Sequence, residues 1–184
     1  MVRARRIPRG AGDTVIKLRP VVPDQIPEEL RRSGRVNVEV DAMPGGYVCS
    51  ASMKGKRDPV PIRQVARGED SVGSLFSKSQ KAFFKTYAPG DLRLRDLVPL
   101  GPINILKLRF SPKTFGRKMV AEFCLYPNGG RILELSTKCA PDEAFQVAAK
   151  ARAFLISRGI DLDGDQQTKT KMALEFFSEA LKSD

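Results

Sequence analysis

The residues that could do chemistry fall into two sets. Cations recur at alternate positions, first Arg3 and Arg5, then Lys17 and Arg19, and later Lys107 and Arg109. Lys54 and Lys138 stand at the ends of two further extended runs. Carboxylates follow the same rule: Glu39 and Asp41 lie two apart, and Glu122 and Glu134 sit in two later runs. Side chains two apart on extended chain leave the same face, so each pair is aimed at one surface. Guanidinium and ammonium groups neutralise phosphate oxygens, and carboxylates hold hard divalent cations such as Mg²⁺ or Mn²⁺. A surplus of the first with a minority of the second suits a polyphosphate carrying a bound divalent metal. Histidine is absent, which removes the commonest general base and every Ser-His-Asp or Cys-His arrangement. Metal acting as Lewis acid and charge clamp needs no histidine; the sequence assigns no catalytic residue. Taken singly, each charged run also reads as the solvated face of a half-buried strand.

Strands must hold these residues. Arg3 to Arg19 reads as a hairpin with its turn at Pro8–Asp13. Its return strand, from Thr14, sends Lys17 and Arg19 to one face and Thr14, Ile16 and Leu18 to the other. Four cations on one surface repel, so the fold needs carboxylates or a bound anion beside them. Val36–Asp41 alternates strictly and returns through Met43-Pro44-Gly45-Gly46 into Tyr47–Lys54. Gly101–Phe110, Lys118–Tyr126 and Arg131–Lys138 complete seven strands, the last two joined by the turn Pro127–Gly130. Between them a short helix is expected from Pro23-Asp24 to Arg32, a loop over Gly55–Gly68, and a helix capped by Ser71 running to about Tyr87. Two helices close the chain, about 141–158 with Gly159 as its stop, and about 165–182 with Ala173, Leu174, Phe177 and Leu181 on one side. The acidic stretch Asp161–Asp165 does not make a calcium loop, since Met172 stands where the bidentate Glu belongs.

At 184 residues the chain is long enough for one domain, 1–184, with a real core. Hydrophobic residues at 41% and charged residues at 29% describe a globular chain. A net charge of +11 and a pI near 9.9 point to an anionic partner. Cys49, Cys124 and Cys139 are an odd, widely spaced set without a CxxC pair. They are expected to be free buried thiols in a reducing cytoplasm. No apolar run has the length of a membrane helix, and the N-terminal segment has no apolar h-region.

The faces opposite the charges are mostly aliphatic or aromatic. Amphipathic helices need those faces as partners, which would turn the charged faces inward, into a lumen. The fold expected is therefore α+β, an antiparallel β tunnel-like barrel with helices packed outside. At this point the chain resembles the CYTH domain of the triphosphate tunnel metalloenzymes. RARR at Arg3–Arg6 resembles that family's RxR strand, IKLR at Ile16–Arg19 the strand after it, and VEVD at Val38–Asp41 the inner ExE strand. LKLR at Leu106–Arg109, AEF at Ala121–Phe123 and LELSTK at Leu133–Lys138 resemble the later basic and acidic strands. The resemblance implies triphosphate held by Arg3, Arg5, Lys17, Arg19, Lys54, Lys107, Arg109 and Lys138. It implies Mg²⁺ or Mn²⁺ held by Glu39, Asp41, Glu122 and Glu134. It also implies hydrolysis or cyclisation of a nucleoside triphosphate, thiamine triphosphate or tripolyphosphate. The family's opening ExExK strand is missing here, and Glu134-Leu135-Ser136 stands where two acids are usual. This implies either a start upstream of Met1 or a degenerate member. An open seam beside Arg3 and Arg5 would follow, with anion binding or homodimerisation at that edge. The alternative class is a non-catalytic polyanion- or nucleic-acid-binding β protein, although the basic strands lack the interleaved aromatics that stack bases.

Overall fold

The computed structural model describes residues 1–43, 46–163 and 168–183. The fold is α+β, with two antiparallel sheets and, among the described residues, five α-helices. The chain divides into two compact units. The first comprises Met1–Asp41 and Tyr47–Pro99; the second comprises Leu100–Asp184 with Ala42–Gly46.

The first unit is built on four strands, β1 (Val2–Arg5), β2 (Gly12–Leu18), β3 (Val36–Met43) and β4 (Gly46–Arg57), in the order β1-β2-β4-β3. β1 is an edge strand. Register sets the faces. Ile16 lies opposite Val2 and Met53, and Leu18 opposite Ala51. These residues, with Val36 and Val38, bury against Ile62, Val65, Leu75, Phe76 and Phe83 in a core that also takes in Ile26 and Leu94. The expectation that helices cover the apolar faces holds for this sheet.

Local structure departs from the sequence reading at three places. Pro23–Gln25 is a separate 3₁₀ turn, and α1 is only Glu28–Arg32, because Ile26 and Pro27 are extended between them. The expected loop Gly55–Gly68 instead contains the end of β4 and a helix, α2 (Pro59–Ala66). Its prolines sit in the first turn, where a missing N–H costs nothing. Ser71 begins a 3₁₀ turn, Val72–Leu75, while Ser77 caps α3 (Lys78–Tyr87) in a reciprocal capping box with Gln80.

Gln80 does more than cap. It is 2% exposed. Its Nε2 donates to Thr14 Oγ1 at 3.1 Å and to the Met53 carbonyl at 3.3 Å, while Oε1 accepts from the Ser77 N–H at 3.1 Å. One amide thus ties β2, β4 and α3 together. Removing a buried, multiply bonded group leaves its partners unsatisfied. Gln80→Ala is expected to cost about 2–3 kcal/mol, combining the lost cap and the lost buried bonds. Urea unfolding checks this, and a loss under about 0.5 kcal/mol, the size expected of an ordinary surface substitution, would contradict it.

The second unit has three strands in sequence order, β5 (Asn104–Phe110), β6 (Met119–Leu125) and β7 (Arg131–Thr137). After a 3₁₀ turn at Pro141–Glu143 come α4 (Ala144–Ile156) and α5 (Lys169–Ser183). Gly159, with φ near +73°, makes the turn after α4. The expected start of the last helix at Asp165 lies outside the described residues, as does the middle of the turn Met43–Gly46. The apolar face of this sheet differs from expectation. Leu106, Leu108 and Leu133 are exposed, at 65%, 62% and 57%. The α5 helix engages the opposite, charged face. The cysteines also split: Cys124 is buried, Cys49 half-buried and Cys139 exposed, all as free thiols. Among the described residues no helix is long and apolar enough to cross a membrane.

Candidate functional site

On the first sheet the charges gather as their alternation requires. Arg3 and Arg5 face Val15 and Asp13 across the β1–β2 ladder; Lys54 faces Val15, Ser52 faces Lys17 and Lys56 faces Asp13 across β2–β4. All therefore share one face. Asp41 of β3 joins them: Lys17 Nζ lies 3.4 Å from Asp41 Oδ2, and the Arg19 guanidinium donates to the same oxygen. Arg5 Nε donates to Asp13 Oδ2 at 3.0 Å, and Arg3 stands 4.0 Å from the other Asp13 oxygen. The face therefore holds six cations, Arg3, Arg5, Lys17, Arg19, Lys54 and Lys56, against three carboxylates, Asp13, Glu39 and Asp41. Glu39 shares the face by alternation with Asp41; it is half-buried, and its carbonyl accepts from Ser50 Oγ. Val15, Ser50 and Ser52 among these charges are buried, at 3%, 1% and 3% exposure, while Arg19, Lys54 and Lys56 are exposed.

Asp13 is a site residue that the sequence reading left in the turn. The signal was present in the register, since a hairpin with Pro8–Gly10 at its tip sets residue 13 against residue 5.

On the second sheet, Lys107, Glu122 and Glu134 are consecutive rungs across β5, β6 and β7. Lys107 Nζ donates to Glu122 Oε1 at 2.6 Å. The remaining oxygen, Oε2, accepts from Lys169 Nζ at the first residue of α5, and the same ammonium donates to Glu134 Oε1 at 2.6 Å. Burial pushes the Glu122 carboxyl up, but hydrogen bonds from Lys107 and Lys169 together with their charges outweigh it and hold the group at about 2. Burial likewise opposes the Lys169 ammonium, yet Glu122 and Glu134 raise it above the ordinary lysine value. Cys124, one step along the same face and fully buried, has its thiol pushed up by desolvation, so it is a packing residue rather than a nucleophile.

Lys169 is the second functional residue that the sequence did not disclose. No strand motif points to it; only the docking of α5 brings it there. Tyr126 Oη donates to the Lys169 carbonyl at 2.8 Å, and the Tyr126 and Phe176 rings meet edge to face. Arg109 shares the Lys107 face by register and is exposed; Lys138 lies just beyond β7 and is also exposed.

The four expected metal ligands fall on two sheets, Glu39 and Asp41 on β3 of the first and Glu122 and Glu134 on β6 and β7 of the second. Asp41 is engaged by Lys17 and Arg19, and Glu39 lies beside it on β3. Glu122 and Glu134 converge on a single point, the Lys169 ammonium. Among the described residues no three His, Cys, Asp or Glu side chains form a metal-holding group. Two converging carboxylates are still a fitting donor set for Mg²⁺ or Mn²⁺, which commonly take one or two protein carboxylates and complete their shell with water and phosphate oxygens. The ammonium between them marks a point where positive charge is already stabilised.

Compared with known proteins, the chain matches no protein-family model, no curated protein and no solved structure.

Proposed function

We propose that this protein is a CYTH-like triphosphate-binding domain. In this reading the cationic face of the first sheet holds phosphates, and Glu122 and Glu134 of the second hold a divalent cation. The observation that carries the reading is the clustering of Arg3, Arg5, Lys17, Arg19 and Lys54 on one sheet face with too few carboxylates to neutralise them. A compact polyanion supplies the missing negative charge, and charge-assisted contacts to it are stronger than neutral ones. The tunnel-like antiparallel barrel of the CYTH domain is part of this proposal. When bound, Mg²⁺ or Mn²⁺ would neutralise phosphate oxygens and polarise the phosphoryl group. This chain's own share is to orient the phosphates through Arg5, Lys17 and Arg19, with Asp13 and Asp41 holding those side chains in place.

The test is calorimetric titration of the full chain with tripolyphosphate and with ATP, with Mn²⁺ present and absent. Phosphate and cyclic nucleotide release are assayed in parallel. Binding is expected. Replacing Lys17 and Arg19 together by Ala should weaken it at least tenfold, since hydrogen bonds to charged groups contribute about 1.5–3 kcal/mol each. A chain that ignores tripolyphosphate but binds random oligonucleotide with a steep salt slope would replace this reading with a nucleic-acid-binding one.

A further inference from the structure

We propose that Lys169 is a built-in occupant of the cation position between Glu122 and Glu134, so that the site takes a divalent cation only by exchange for this ammonium. The inference rests on the reading of Glu122 and Glu134 as cation ligands. It adds that α5 is an autoinhibitory contact.

The geometry requires a positive charge at this point. Glu122 and Glu134 are directly opposed on neighbouring antiparallel strands, and like charges so placed repel. Lys107 reaches Glu122 Oε1 only, and the oxygens that face each other, Glu122 Oε2 and Glu134 Oε1, both bond Lys169 Nζ. Two carboxylates and two ammoniums leave the cluster neutral. In this state both Glu122 oxygens are occupied, and Lys107 is held by a carboxylate instead of a phosphate. Lys169 closes the cation position through Glu122 Oε2 and Glu134 Oε1, while the Lys107 bond to Glu122 Oε1 is separate from it.

The contact is also local enough to open. Lys169 is the first residue of α5, and its side chain retains 18% exposure, against 12% for Glu122. Beyond the Tyr126 bond and the Tyr126–Phe176 ring contact, much of the helix is solvated: Leu174 is 50% and Leu181 55% exposed. A divalent ion brings twice the charge of the ammonium to the same two carboxylates, an attraction set against the cost of its partial dehydration. Departure of Lys169 leaves the helix with fewer ties to the sheet. An internal competitor lowers apparent affinity by the fraction of time the site is open.

The experiment uses the full chain and Mn²⁺ alone. Mn²⁺ affinity is measured by electron paramagnetic resonance, and deuterium uptake of 169–183 is followed in the same samples. Lys169→Gln should bind Mn²⁺ about tenfold or more tightly than wild type, reflecting a site that Lys169 fills most of the time. Adding Glu134→Gln should abolish that gain, and in the wild type Mn²⁺ should raise deuterium uptake across 169–183. Tyr126→Phe, which loosens α5 without touching the carboxylates, should give a smaller gain in the same direction. It serves as the reading variant should Lys169→Gln not fold. If wild type and the folded Lys169 variant bind Mn²⁺ equally and Glu134→Gln abolishes both, the cation site stands and the exchange is wrong. If neither binds Mn²⁺, the cation site itself falls and the exchange with it.

Discussion

Gly12→Ala will unfold the first unit at a temperature about 6–12 °C below wild type, an effect of about 3 kcal/mol at the usual sensitivity of a chain this size. Gly12 is the first residue of β2, between β1 and β4. A methyl group there would lie 2.7 Å from the Arg5 carbonyl oxygen and 3.1 Å from that of Arg57, besides 2.5 Å from Ile62 Cδ1. The isoleucine tip can rotate away. The two carbonyls cannot, because they belong to strands already hydrogen-bonded to β2, so the strands themselves must separate. Gly10→Ala is the control. Its added methyl would meet only Ile7 Cγ2, at an ordinary 3.7 Å, and the substitution should be neutral or slightly stabilising through the unfolded chain. Thermal melts of the two variants check the contrast; equal melting temperatures would refute it.

The same substitution has a functional consequence. Gly12 lies one residue from Asp13, which neutralises Arg5 and stands beside Arg3. Prising β1 from β2 moves exactly opposed partners apart, leaving two arginines with less compensation on an already cationic face. Tripolyphosphate at saturating concentration should therefore recover part of the lost melting temperature, since a ligand that binds only the folded state stabilises it by mass action.

Strand alternation was the most legible feature of this chain. Each of β1 to β7 was visible in the sequence within a few residues, because period-two runs such as Val36–Asp41 and Leu106–Phe110 admit few other readings. The sharing of a face by Arg3, Arg5, Lys17, Arg19 and Asp41 was also legible, since register follows from hairpin geometry once the turns are placed. α2 was hidden by Pro59 and Pro61, which suggest loop until they are recognised as first-turn residues. The true start of α3 carried its own signal, Ser77 with Gln80 three residues on, but Ser71 offered an equally acceptable cap. Two features had no local signal at all. The approach of Lys169 to Glu122 spans 47 residues of sequence. The exposure of Leu106, Leu108 and Leu133 depends on where α5 docks, and alternation alone cannot say which face of a sheet a distant helix will choose.

That choice leads to the second large effect, which acid titration will expose. Glu122 is held at about 2 against an ordinary carboxylate value of 4.5. A depressed carboxylate contributes its full stabilisation above the unfolded value and loses it as pH falls through the folded one. The Glu122 contribution is therefore intact above about pH 4.5 and drains away between there and about pH 2. Allowing for solvent screening of a group near the surface, it amounts to about 2 kcal/mol. Lys169 behaves in the opposite sense. Its value is raised, so its contribution is complete below the ordinary lysine value and fades as pH rises beyond it. Between these limits Glu122 and Lys169 are both charged. Glu122→Gln should lower stability by about 2 kcal/mol at pH 7, and the difference from wild type should shrink steadily from pH 4.5 downward as protonation makes the two side chains alike. Urea unfolding of both proteins at half-unit intervals from pH 7 to pH 2.5 measures this. Curves that stay parallel over the whole range would mean that Glu122 is not a carboxylate held below its ordinary value in the folded state.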